Sequence, residues 1–287
     1  MSRRRFLGAL GLSGVGAGLL VGLRSLVSGP APRPDVSAGT VRAVEAYGTG
    51  PLQRGEWWVP PSSYAGRLPT VVLVHGGFWG PSYDRSLEDA VAADLAGRGF
   101  LCWNLDYAAA DKPWPSTLTD VAAGYDYLTK GQYADRIDPE RIAVVGHSAG
   151  GHLALWLASR GRAEGFGPAT GLPQPALVVA QAPVAALAEA FAANLGGGAV
   201  DRLMGGAPTR HPERYRVADP IALLPTPVPS VLVHGTGDGI VPIAQSEVYV
   251  AAAGAGSRLA RFDGGHFEHL DPASQAGALL REALRAL

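Results

Sequence analysis

The 287 residues predict an α/β chain: a mostly parallel central sheet, helices on both of its faces, and one small cap insertion near residues 182–222. Three observations lead there. Short β-branched runs recur along the sequence, helical apolar spacing fills the gaps between them, and the alternation breaks once, where about forty residues separate two strands.

Residues 41–47 and 55–59 alternate enough to predict antiparallel strands leading into the sheet. Residues 70–75, 100–105, 142–146 and 231–234 are continuous apolar runs, the pattern of strands buried on both faces of a parallel sheet. Residues 176–180 and 258–262 are weaker companions. Apolar residues spaced i, i+3, i+4 predict helices over 87–98, 118–130, 151–160, 243–253 and 274–286. The break at 182–222 is expected as a partly helical cap beyond the carboxyl ends of the strands, where open α/β sheets gather their sites.

Composition bounds the function. Lys+Arg 24 against Asp+Glu 25 gives a net charge of -1, which carries no electrostatic footprint for nucleic acid. Charged residues are 17% and hydrophobic ones 47%, which excludes a disordered chain. The single cysteine, Cys102, lies in an apolar run and reads as a buried small hydrophobe. A chain of this length buries a deep core without disulfides or metals.

The N-terminus has a basic start followed by an apolar, glycine-rich stretch over residues 8–23 that lacks a polar face. Ser2, Arg3, Arg4, Phe6 and Leu7 match the twin-arginine consensus. Residues 1–31 are therefore expected as a twin-arginine-type export signal, with the export machinery as a partner. Arg24 leaves the apolar run short for a permanent span. Residues 32–40 read as a Pro-rich linker and 41–287 as the catalytic domain.

The chemistry centres on Gly146-His147-Ser148-Ala149-Gly150-Gly151, between a strand run and a helical run. Gly-x-Ser-x-Gly alone is a weak signal. Strand, sharp turn and helix together make it a nucleophile elbow, with the glycines leaving room for the strained turn. A serine hydroxyl needs a base and an orienting carboxylate, which follow in the order Ser, Asp or Glu, His. Asp238 stands in a Gly-rich loop past the penultimate predicted strand, although turn-forming aspartates are common. His266 follows Gly264-Gly265 after the last strand, with His269 as the alternative; chain order favours His266. His75-Gly76-Gly77-Phe78-Trp79 follows an earlier strand and suits an oxyanion hole built from the N–H groups of Gly77, Phe78 and Ala149. His147 and His152 read as packing groups, His75 and His234 as loop holders, and His211 as a surface residue of the cap. Phe78, Trp79, Trp114 and Phe191 suit either an aromatic or acyl pocket or the core. This chemistry calls for no metal or cofactor.

These motifs resemble the carboxylesterase and formamidase branch of the α/β-hydrolases, near the hormone-sensitive-lipase-like enzymes, from about residue 70 to the C-terminus. His-Gly-Gly-x-Trp with Gly-His-Ser-Ala-Gly-Gly-His is similar to arylformamidases acting on N-formylkynurenine and to carbohydrate-acetyl and feruloyl esterases. The resemblance implies an α/β-hydrolase fold, a triad of Ser148, Asp238 and His266, and oxyanion donors Gly77, Phe78 and Ala149. Phe78, where lipases of the group carry a third glycine, leans toward the formamidases. The export signal sits poorly with a cytoplasmic step of tryptophan breakdown. An exported carboxylesterase acting on small-molecule esters or amides is therefore expected first and an arylformamidase second. A small peptidase and an inactive binding protein on the same scaffold follow.

Overall fold

A computed structural model describes residues 37–168 and 171–287. The export signal expected over 1–31, and the linker up to residue 36, lie outside the described residues. Among the described residues no helix is long and apolar enough to cross a membrane.

In chain order the elements are β1 (Val41–Ala46), β2 (Arg54–Val59), β3 (Leu68–Val74), α1 (Asp89–Gly97), β4 (Leu101–Leu105), α2 (Ser116–Asp126), β5 (Ile137–His147) and α3 (Ala149–Ser159). Then come β6 (Leu177–Gln181), α4 (Leu187–Ala192), α5 (Ala199–Met204), α6 (Pro212–Ala218), β7 (Ser230–Gly235), α7 (Ala244–Ala253), β8 (Ser257–Phe262) and α8 (Gln275–Leu284). One eight-stranded sheet runs β1-β2-β4-β3-β5-β6-β7-β8. The pairs β1–β2 and β2–β4 are antiparallel and all others parallel. The expected sheet is therefore the observed one, with helices packed on both faces.

Strand side chains alternate between faces, and here each face has its own core. Val72, Val144, Val178 and Leu232 pack with Leu118 of α2, Leu153 and Trp156 of α3 and Tyr249 of α7. Leu73, Val145, Val179 and Val233 pack with Val91 and Leu95 of α1 and Leu280 and Leu284 of α8. Burial on both sides is why these strands read as unbroken apolar runs. Cys102 is fully buried in the second core, and burial pushes its thiol pKa well up.

Among the boundaries that moved, three have a clear local cause. β5 begins at Ile137, before the apolar run, because its first turn of strand is half solvent-facing. The α1 region opens with a 3-10 turn, Arg85–Glu88, capped by Asp84, whose carboxylate accepts from the Ser86 N–H at 2.9 Å. α3 begins at Ala149, two residues earlier than its apolar spacing, because Gly150 and Gly151 carry no side chain to register in a periodicity.

The site follows from topology. After β3 the chain crosses to β4 on one side, and after β5 to β6 on the other. The adjacent carboxyl ends of β3 and β5 therefore bound a switch point, where connections diverge and leave a crevice. The excursion between β6 and β7 contains α4, α5 and α6.

Candidate active site

Ser148 caps α3 with φ 58° and ψ -119°, in the positive-φ region that favours glycine. Its N–H donates to Gln181 O at 2.7 Å, which pins the turn to the end of β6. The flanking glycines are steric necessities. A Cβ on Gly146 would lie 2.1 Å from Gly150 O, and one on Gly150 would lie 1.9 Å from Val74 O. Backbone occupies the space that side chains would need. Ala149 opens the helix, so its N–H has no intrahelical acceptor and the helix dipole adds positive potential beside the hydroxyl.

Asp238 and His266 meet. His266 Nδ1–H donates to Asp238 Oδ2 at 2.7 Å. That fixes the tautomer and leaves Nε2 as a free acceptor. Asp238 Oδ1 accepts the N–H groups of Ile240 at 2.8 Å and Val241 at 2.9 Å. His234 Nε2 lies 3.3 Å from Oδ2 and donates to Val241 O at 2.9 Å, while its Nδ1 pairs with Ser246 Oγ at 2.7 Å. Burial opposes ionisation of Asp238, yet the hydrogen bonds from His234 and His266 hold its carboxyl well below the usual range.

His269 is placed differently. It is fully buried, and neither ring nitrogen has a hydrogen-bond partner. Burial, reinforced by the neighbouring His266 and His234, lowers its pKa to about 3. Its ring packs against Phe262 and His147 at centroid distances of 5.2 and 5.4 Å. His266, and not His269, holds the carboxylate.

The base loop reaches the elbow through His147, whose Nε2 donates to His266 O at 2.9 Å. Across the crevice, Gly77, Phe78 and Trp79 take φ 105°, 53° and 54°. Successive N–H groups in such turns form concavities that hold anions. A Cβ on Gly77 would lie 2.4 Å from the Tyr83 ring, so the position demands glycine on both counts. The loop is braced from behind: His75 Nδ1 donates to Gly76 O at 2.7 Å, and Tyr107 Oη donates to His75 O at 2.7 Å. The His75 ring stacks on Tyr107 at 4.2 Å.

Of the four aromatic residues singled out, Trp79 belongs to the core and Phe78, Trp114 and Phe191 are half-buried. The Phe78 ring lies on the backbone of Gly196, where a Cβ would sit 2.4 Å away. Trp114 lines an outer groove of about 590 Å³ together with Arg160, Phe166 and Arg214, away from Ser148. His152 and Trp156 of α3 donate to Ala218 O at 3.0 Å and Val217 O at 2.8 Å, the last carbonyls of α6. His211 is half-buried beside Glu213 at 3.5 Å instead of lying free on the surface.

Sequence reasoning missed two contacts. His234 was read as a loop holder, and it also touches Asp238. His147 was read as packing, and it hydrogen-bonds the base loop. Their positions beside Asp238 and Ser148 were the available signal. Among the described residues no group of three or more His, Cys, Asp or Glu side chains converges to hold a metal ion.

Known proteins resemble this chain in sequence and in fold. Esterase LipC of Mycobacterium tuberculosis is 28% identical over 228 residues, 74% of this chain and 55% of LipC. The chain thus matches about half of that relative's length. The uncharacterized protein Rv2307c of the same organism is 29% identical over 271 residues, 91% of this chain and 85% of its own. The crystal structure of Esterase B from Lactobacillus rhamnosis superposes with a TM-score of 0.79 at 18% identity, covering 94% of this chain and 92% of that one. That esterase has also been solved inhibited by a tributyrin phosphonate. The BD-FAE family model matches residues 58–252. The chain belongs to the BD-FAE family and carries the α/β-hydrolase fold.

Proposed function

We propose that this chain is a serine hydrolase that cleaves carboxylic esters through an acyl-enzyme on Ser148. The observation that carries the reading is the left-handed Ser148 at the head of α3, beside a base loop whose His266 is already paired with Asp238 at 2.7 Å.

Ser148 Oγ attacks the ester carbonyl carbon while His266 Nε2 takes its proton. Asp238 holds the imidazole in that tautomer and balances the positive charge it gains. The N–H groups of Gly77, Phe78 and Ala149 stabilise the oxyanion, each such donor contributing roughly 3 kcal/mol. His266 then protonates the departing alkoxide, the C–O bond breaks, and water repeats the sequence in reverse to free the acid. The names of LipC and Esterase B, and the phosphonate inhibition of the latter, support an ester as substrate.

A fluorophosphonate probe tests the reading. Wild-type protein is expected to label and S148A is not, while H266A labels at a rate reduced on the order of a thousandfold or more. Labelling that survives in S148A would overturn it. A panel of p-nitrophenyl esters beside N-formylkynurenine separates the esterase from the arylformamidase, which a faster formamide would favour. We further propose export through residues 1–31, supported by the Ser2-Arg3-Arg4-x-Phe6-Leu7 motif. Replacing Arg3 and Arg4 together by Lys is expected to retain the protein in the cytoplasmic fraction; unchanged export would rule that route out.

A further inference from the structure

His147 ends β5, immediately before Ser148, and is 3% exposed. On one side its Nε2–H donates to His266 O at 2.9 Å, and the two rings stand 4.6 Å apart. On the other side lies Gly76, the residue that leads into the oxyanion loop. A Cβ built there would come within 2.9 Å of His147 O and 3.2 Å of its Nδ1. One imidazole is therefore wedged between the backbone of the oxyanion loop and the backbone of the base loop.

A carbonyl only accepts, so the proton of His147 sits on Nε2 and Nδ1 is a bare lone pair. That Nδ1 is buried without a hydrogen-bond partner, an unfavourable state for a polar atom. Burial, with His266 and His269 nearby, keeps the ring neutral by holding its pKa well below the ordinary value. Packing alone does not account for this residue, because a leucine or phenylalanine would fill the space without stranding a polar atom. The Nε2–H bond to His266 is what an apolar side chain cannot supply. The base loop has other ties further out: Gly237 N donates to Gly264 O at 2.9 Å, and Gly265 N to Glu268 Oε1 at 2.9 Å.

We infer that His147 is a positioning residue that sets the spacing of the base loop from the oxyanion loop about Ser148, through its bond to the His266 carbonyl and its contact with Gly76. The inference rests on the acyl-enzyme reading above. Reaction geometry is sensitive at this scale, since a misplacement of about 1 Å costs on the order of a hundredfold in rate.

The test compares H147L and H147F, which keep bulk and lose the donor, with H147Q, whose amide N–H reaches where Nε2–H does. The readouts are kcat and KM on p-nitrophenyl butyrate, fluorophosphonate labelling rate, and melting temperature. The apolar variants are expected to lose roughly tenfold to a hundredfold in kcat with KM within about twofold, and H147Q to recover to within about threefold of wild type. Wild-type kcat in H147L or H147F would overturn the inference. So would loss in H147Q that tracks its melting temperature as in the apolar variants, or failure of both apolar variants to fold, since either assigns His147 to the fold alone. Wild-type protein with S148A and H266A, measured alongside, reports on the acyl-enzyme reading separately.

Discussion

A residue other than glycine held at φ 58° costs on the order of 1–3 kcal/mol, and Ser148 sustains it because its surroundings leave no alternative. Its N–H is fixed to Gln181, its carbonyl accepts from His152 and Val184, and Gly150 is pressed on Val74. Asp238 is constrained in the same way, with one oxygen on two backbone N–H groups and the other on His266. D238N keeps that shape but offers an amide where the imidazole N–H needs an acceptor. It is expected to lower kcat on the order of a thousandfold to ten-thousandfold with little change in KM, read by steady-state hydrolysis. Much of this was legible from residue type and order. Ser148, Asp238 and His266 each follow a predicted strand at a Gly-rich turn. His234 and His147 were not legible in their contacts, because those depend on how loops from different strands meet above the sheet, which no local spacing encodes.

The elements show where periodicity works and where it stops. Strands buried on both faces announce themselves as apolar runs, while the outer start of β5 and the glycine-led start of α3 do not. The cap was foreseen as a partly helical insertion, from a break in rhythm, but without the bounds of its helices. Its helices are short, six or seven residues each, and lean on contacts with α3 and α7 that local sequence does not display. The joint between β5 and α3 is the least tolerant element. G150A drives a methyl onto Val74 O and is expected to destabilise by more than about 3 kcal/mol in urea melts. G239A, with nothing within 4 Å of its new methyl, is expected to stay within about 0.5 kcal/mol.

Across the whole molecule, stability carries the signature of buried titratable groups. Glu88 is 1% exposed, neither carboxyl oxygen has a partner, and burial, with Asp89 beside it, raises its pKa from 4.5 to about 8. Its folded value lies above the unfolded one, so its contribution is fully present below 4.5 and is lost as pH rises toward 8. Asp89 and Asp219, raised to about 6, finish that loss earlier. His269 and His152, lowered to about 3 and 4, act oppositely: their contribution is present above 6.5 and is lost on acidification. The window from about pH 6 to about pH 8 thus belongs mainly to Glu88. Wild-type protein is expected to lose up to roughly 3 kcal/mol across it relative to E88Q, measured by urea midpoints at each pH. Parallel curves for the two proteins would refute the assignment.

The anchoring of the cap bears on how substrate arrives. The last carbonyls of α6 are bonded to His152 and Trp156 on the very helix that presents Ser148, and Ala188 N and Ala186 N are held by Asp219 and Gln245. A lid that opens on contact with an oil droplet would have to break these bonds before exposing anything. An ester hydrolase with its cap anchored in this way is expected to act on dissolved esters without interfacial activation. Its rate on tributyrin should level off smoothly as the concentration passes the solubility limit, with no jump when droplets form.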